Sequence, residues 1–204
     1  MPPPTKLLFL PGARGEPAFW HALGNRLHIE AHQVFFAYPG FGVEPAHPEV
    51  NGLDDLVQAV IRQIDQPTAI IAQSMGGILA VHAALRKPEF VTHLVLSVTS
   101  GGVDMDSLGA ADWRHAFAAA NPQLPDWFIE HRADLSKQLS SLKQPVLLLW
   151  GDADPISPVA VGRRLLALLP NARLHVVAGG DHDLGESHAA QLAPLVDDHL
   201  QLQI

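Results

Sequence analysis

The chain contains no cysteine, and that single absence removes disulfides, thiolate zinc sites and cysteine nucleophiles together. Positive charge is also scarce. Thirteen lysines and arginines stand against 21 acidic residues, a formal charge of -8, which argues against a general nucleic-acid or anionic-membrane surface. Apolar runs are short throughout. The opening MPPPTKLLFLPG has a run too brief for a signal h-region and no basic n-region before it, and no later run approaches a membrane span. These absences read as a soluble, cytoplasmic protein. Cofactor motifs are missing as well: GARG and SMGG lack the Gly-Lys-Ser/Thr ending of a phosphate loop, and no nicotinamide fingerprint occurs. The His/Asp-rich DHDLGESH has no His-x-x-x-His pair and no matching distant ligands, so neither a metal nor a cofactor is expected.

What is present is alternation. The runs KLLFL, QVFFA, TAIIAQ, VTHLVLSV, PVLLLW and ARLHVVA read as six strands. Between them EPAFWHALGNRLHIEA, LDDLVQAVIRQI, GGILAVHAALRK, PVAVGRRLLALL and the tail SHAAQLAPLVDDHL carry apolar residues at helical spacing. Strands apolar on both faces, alternating with helices, imply an α/β fold: a mainly parallel sheet covered on both sides. With 204 residues, 48% of them hydrophobic, and no repeat or linker, residues 1–204 read as one domain. One interval breaks the rhythm. Residues 101–144, longer than a crossover needs, contain the helical-looking AADWRHAFAAA and DWFIEHRADLSKQLSSL. They read as a short helical lid whose aromatics either line a pocket or pack the insert onto the body.

The chemistry concentrates in AIIAQSMGG. Ser74 falls where a strand ends and a helix begins, with Ala72 two residues before it and Gly76 two after. A nucleophile at the apex of so sharp a turn needs small neighbours at those positions. A serine there also serves as an ordinary N-cap. A nucleophilic serine needs a base, and the base needs an acid to hold its tautomer. In this architecture the order is Ser, acid, His, each after a later strand. Asp154 follows PVLLLW in GDADPISP, and His182 follows ARLHVVA in GGDHDLGES. Competing residues have blander explanations: Asp152 as a turn residue, Asp104 and Asp106 after the preceding strand, Asp181 and Asp183 as loop neighbours of the histidine, and His188 as a solvated or capping residue.

With these residues in place the chain resembles an α/β-hydrolase of the small esterase type, similar to pimeloyl-ACP methyl ester esterases and their carboxylesterase relatives. The likeness covers nearly the whole chain. LLFLPGARGEPAFW resembles the family's first strand and its His-Gly loop, YPGFG its Pro-Gly-x-Gly turn, and WGDADPISP its acid-bearing turn. The resemblance implies Ser74 as nucleophile, Asp154 as acid, His182 as base, and the backbone N–H groups of Met75 and Ala13 as the oxyanion hole. Pro11 departs from the family's usual histidine, and Tyr38 and Phe41 from its usual Asp and His. The resemblance further implies a minimal sheet without a leading hairpin and hydrolysis of a small to medium carboxylic ester, with Trp20, Phe41, Trp113 and Trp127 lining the substrate pocket. An acyl-carrier-protein ester is a possible partner substrate, contacted through Arg114, Arg132 and Lys137; a solvated helix face is the commoner reading of such charges. Carbon–carbon bond hydrolysis or a lyase step on the same scaffold, and a non-catalytic binding module, are the alternatives.

Overall fold

The structure, a computed structural model, describes residues 2–130 and 134–202. Six strands form one sheet: β1 (Lys6–Leu10), β2 (His32–Phe35), β3 (Thr68–Gln73), β4 (Val91–Ser97), β5 (Val146–Gly151) and β6 (Ala172–Val177). They lie in the order β2-β1-β3-β4-β5-β6, and every pairing is parallel. All residues of β1, β3, β4 and β5 are buried, while the edge strands β2 and β6 are half exposed. Apolar runs without alternation therefore mark the strands with helices on both sides.

A 3₁₀ turn at Pro17–Trp20 leads into α1 (His21–Gly24). Then come α2 (Leu53–Ile61), α3 (Met75–Arg86), α4 (Arg114–Ala120), α5 (Asp126–Glu130), α6 (Ser136–Leu139), α7 (Val159–Leu168), α8 (Leu184–Ser187) and α9 (Ala189–Leu200). Parallel crossovers are right-handed, so the direction in which the chain steps across the sheet decides the face. The step from β1 to β2 runs one way and puts α1 on one face; the later steps run the other way and put α2, α3 and α7 on the opposite face. α9 packs against α1 and shares its face. Among the described residues no helix is long and apolar enough to cross a membrane.

Two helices are shorter than their periodicity predicts. The segment 16–31 reads as one helix, yet regular structure stops at Gly24, which packs so closely on Phe35 that a Cβ there would lie 2.7 Å from the ring. Beyond it the backbone N–H groups of His28 and Ile29 donate to the Asp197 carboxylate from α9, at 3.0 and 3.3 Å. Donors that a helix would use internally are spent on a tertiary contact instead. The segment read as helical over 126–142 contains two short helices, α5 and α6, and residues 131–133 between them lie outside the described residues.

Candidate active site

The strand order reverses between β1 and β3, since β2 lies on one side of β1 and the rest of the chain on the other. Loops leaving the carboxyl ends of two such strands diverge and open a crevice. Leu10 and Ala72 are register partners at that end. The crevice is therefore bounded by the 11–15 loop and by Ser74.

Ser74 adopts φ 51° and ψ -119°, a conformation that costs a non-glycine residue of order 1–3 kcal/mol. Its side chain makes no capping bond to α3, so the N-cap explanation for this serine has no support. The turn is held by its backbone: Ser74 N–H donates to the Ser97 carbonyl at 3.0 Å, and the Thr99 hydroxyl donates to the Ser74 carbonyl at 2.5 Å. A Cβ on Gly76 would lie 2.6 Å from both the Leu10 and Pro11 carbonyl oxygens, so only glycine fits there. Ala72 is fully buried in β3.

Asp154 is 3% exposed. One of its oxygens accepts the backbone N–H groups of Ile156 and Ser157, at 2.8 and 3.1 Å; the other faces His182 Nδ1 at 2.8 Å. An ionised carboxylate only accepts, so Nδ1 carries the proton and Nε2 is left with its lone pair. The histidine loop is tied to the β5 turn by a hydrogen bond from Ala153 N–H to the Gly180 carbonyl, 2.9 Å, and one from Gly179 N–H to Asp152, 2.7 Å. Ser74 and His182 both line one cavity of about 510 Å³. No hydrogen bond joins their side chains among the described residues; in a ligand-free site such contacts are often long and tighten around substrate.

Of the residues that depart from the family pattern, Pro11 and Tyr38 meet at the 11–15 loop. The carbonyl of Pro11 accepts the Tyr38 hydroxyl at 2.7 Å, and the preceding carbonyl, Leu10, accepts the Trp20 indole N–H at 2.9 Å. Burial pushes the Tyr38 phenol well above its ordinary value, so it remains a donor. Neither the Ala13 nor the Met75 N–H donates to a backbone or side-chain acceptor among the described residues, and both residues line the cavity. Met75 opens α3, where the first-turn N–H groups have no helical partners.

The cavity wall corrects three of the four pocket residues. Trp113 lines it, but Trp20, Phe41 and Trp127 do not. Trp20 is fully buried and braces β1; Phe41 lies behind the wall, its ring 5.7 Å from Phe128, and Trp127 packs on Phe41 at 5.7 Å. The apolar wall is instead built by Phe19, Ile78, Met105, Trp113, Phe117 and Phe128. A helical signal was available for Phe117, which lies one turn beyond Trp113 and pairs with it at 5.6 Å. The rival polar residues have local partners: Asp104 accepts the Asp106 N–H at 3.1 Å, and His188 Nδ1 lies 2.8 Å from the Ser187 hydroxyl. Asp181 and Asp183 are exposed but border the cavity. Of the basic residues on the insert, Arg114 lines the cavity with its guanidinium 5.0 Å above the Trp113 ring, Lys137 is exposed on α6, and Arg132 lies outside the described residues.

Residues 7–137 match the Alpha/beta hydrolase family, well over half of the chain. The chain belongs to that family. A further match, to TAP-like protein, covers residues 113–202. The chain is 24% identical over 213 residues to a pimeloyl-[acyl-carrier protein] methyl ester esterase of Chromobacterium violaceum, covering 81% of this chain and 82% of that one. Some relatives are far longer: the chain spans 11% of the polyketide synthase ThaQ of Burkholderia thailandensis, at 25% identity, and 45% of a bifunctional biotin biosynthesis protein of Teredinibacter turnerae, at 24% identity. Among solved structures it superposes on a putative lipase from Acinetobacter baumannii with TM-score 0.81, 17% identity and coverage of 97% and 83%. A meta-cleavage product hydrolase of Pseudomonas fluorescens gives TM-score 0.78 at 20% identity, with coverage of 96% and 90%. The fold is the alpha/beta hydrolase fold.

Proposed function

We propose that this hydrolase cleaves small to medium carboxylic esters through an acyl-enzyme on Ser74. The observation that carries the reading is the 2.8 Å contact between buried Asp154 and His182, which leaves His182 Nε2 as an acceptor in the cavity that the strained Ser74 also lines. Ser74 Oγ attacks the ester carbonyl carbon while His182 Nε2 takes its proton. The oxyanion that forms is held by the unspent Met75 and Ala13 N–H groups, the first at the positive end of α3. The carbon–oxygen bond to the alcohol then breaks, and His182 returns the proton to the departing alkoxide. Water, deprotonated by the same nitrogen, attacks the acyl carbon; the bond to Ser74 Oγ then breaks, His182 returns the proton to that oxygen, and the acid is released. Asp154 holds the ring in place and stabilises the imidazolium. Segment 101–144 is read as a short lid, since Met105, Trp113, Phe117 and Phe128 from it line the cavity, and a cavity of this size suits a short or medium acyl group.

The relatives named as acyl-carrier-protein esterases bring a second substrate into view, an ester carried on such a protein, with Arg114 and Lys137 among the contacts on the insert. The test is fluorophosphonate labelling with peptide mapping, run beside hydrolysis of p-nitrophenyl acetate, butyrate and octanoate. Labelling at Ser74 with turnover of the short esters, both lost in Ser74→Ala, is the expected result. A labelled Ser74 with negligible ester turnover would favour carbon–carbon bond hydrolysis, and an unlabelled Ser74 would remove the acyl-enzyme altogether.

A further inference from the structure

Two of the three groups assigned to catalysis sit on distant strands: Ser74 follows β3, whereas His182 follows β6, with β4 and β5 between them. Asp154, in the turn after β5, fixes the His182 ring, but that contact does not set the distance from the ring to the serine. One side chain spans the gap. Gln73, immediately before Ser74 and 5% exposed, donates from Nε2 to the His182 carbonyl at 3.1 Å. A carbonyl can only accept, so the amide nitrogen is the end that faces it. The carboxamide oxygen therefore turns toward Gly12, where it occupies the space that a Cβ would need; that same Cβ would lie 3.3 Å from Ser74 Cβ.

We infer that Gln73 is a positioning residue that clamps the base loop to the nucleophile turn and fills the space beneath Gly12 of the oxyanion loop, setting the reach from His182 to Ser74. The inference rests on the proposed roles of Ser74 and His182. Near-isosteric replacement, Gln73→Met, keeps the volume and removes the donor. A displacement on the order of 1 Å between base and nucleophile costs about a hundredfold in rate, so kcat is expected to fall about 10- to 100-fold with KM nearly unchanged. Residues that share one contact give non-additive effects. The double variant Gly12→Ala/Gln73→Ala should therefore be no slower than the slower single variant, because the smaller side chain makes room for the new methyl.

A readout independent of turnover accompanies these. The imidazole N–H proton of His182, identified by its loss in His182→Gln, is followed by proton NMR in wild type and Gln73→Met, beside p-nitrophenyl butyrate kinetics and thermal melts. A moved or broadened His182 resonance with lowered kcat and little change in melting temperature is the expected result. An unmoved resonance with unchanged kcat overturns the inference and leaves the esterase reading standing. A moved resonance in a protein whose wild type turns over no ester upholds the clamp and overturns the esterase reading instead.

Discussion

The Tyr38 hydroxyl donates a 2.7 Å hydrogen bond to the carbonyl of Pro11, so two residues that both depart from the family pattern are bonded to each other. Pro11 has no N–H to give and precedes the first glycine of the 11–15 loop, the proposed oxyanion loop; Tyr38 supports it from the next loop. Removing the hydroxyl in Tyr38→Phe leaves a buried carbonyl unpaired, which costs about 1–3 kcal/mol. The expected outcome is a lower melting temperature together with a kcat reduced about tenfold, since the loop N–H of Ala13 loses its support. Steady-state kinetics and a thermal melt check it, and a variant with wild-type kcat would disconnect Tyr38 from the site.

The two small residues flanking Ser74 are unequal. A methyl on Gly76 meets backbone carbonyls of Leu10 and Pro11 at 2.6 Å, atoms that move only if β1 moves. Gly76→Ala should cost about 1–3 kcal/mol through overpacking and lower kcat on the order of a hundredfold by displacing the Met75 N–H. Ala72→Gly, by contrast, should lose only about 0.5–1 kcal/mol from backbone entropy in the strand and keep its activity. Chemical denaturation and kcat on both variants decide the matter; equal sensitivity at the two positions would contradict the steric account.

The strands, and the meeting of Asp154 with His182 at the cavity that Ser74 lines, were legible because both rest on one-dimensional signals: unbroken apolar runs for the buried strands, and a small-x-Ser-x-small turn followed by loops bearing Asp154 and His182. What could not be read depends on tertiary direction. Trp20 and Phe41 look like pocket aromatics by position, yet one braces the Leu10 carbonyl and the other supports Phe128 from behind. Trp127 and Phe128 are adjacent on a helix and point about 100° apart, so only one of them lines the cavity. The early end of α1 has the same origin: its would-be donors answer to Asp197, 168 residues away for Ile29. Gln73 gives no sequence signal at all, since its partner is a backbone carbonyl.

The cavity mouth is acidic. Glu16, Asp181, Asp183 and Glu186 border it, against Arg14 and Arg114. Like charges in a cleft lower the local concentration of an anionic substrate, and salt screens the effect. A monoester of a dicarboxylic acid should therefore show a higher KM than a neutral ester of equal length, and the gap should narrow as salt is raised. Initial rates across a salt series measure both. A KM for the anionic ester equal to or below the neutral one would instead assign Arg14 or Arg114 as an anion anchor and strengthen the carrier-protein reading.

The last relationship concerns stability. His199 is fully buried on α9, its Nε2 donating to the Leu94 carbonyl at 2.9 Å, with the His93 ring 5.4 Å away. Burial, with the neighbouring His93 and Arg173 charges, lowers its pKa to about 3, and burial lowers that of His93 as well. The unfolded chain takes up a proton near pH 6.5 that the folded chain refuses until about pH 3. Stability is then fully present above about pH 6.5 and falls as pH drops from there toward 3, at about 1.4 kcal/mol per unit for one group. His199→Leu should be less stable than wild type at pH 7, because the Leu94 carbonyl loses its donor at about 1–3 kcal/mol. Its stability should also decline less steeply with acid, so the two curves converge or cross between pH 6 and pH 4. Denaturant titrations at pH 7, 6, 5 and 4 on both proteins measure this directly, and parallel curves would mean that His199 does not govern the acid limb.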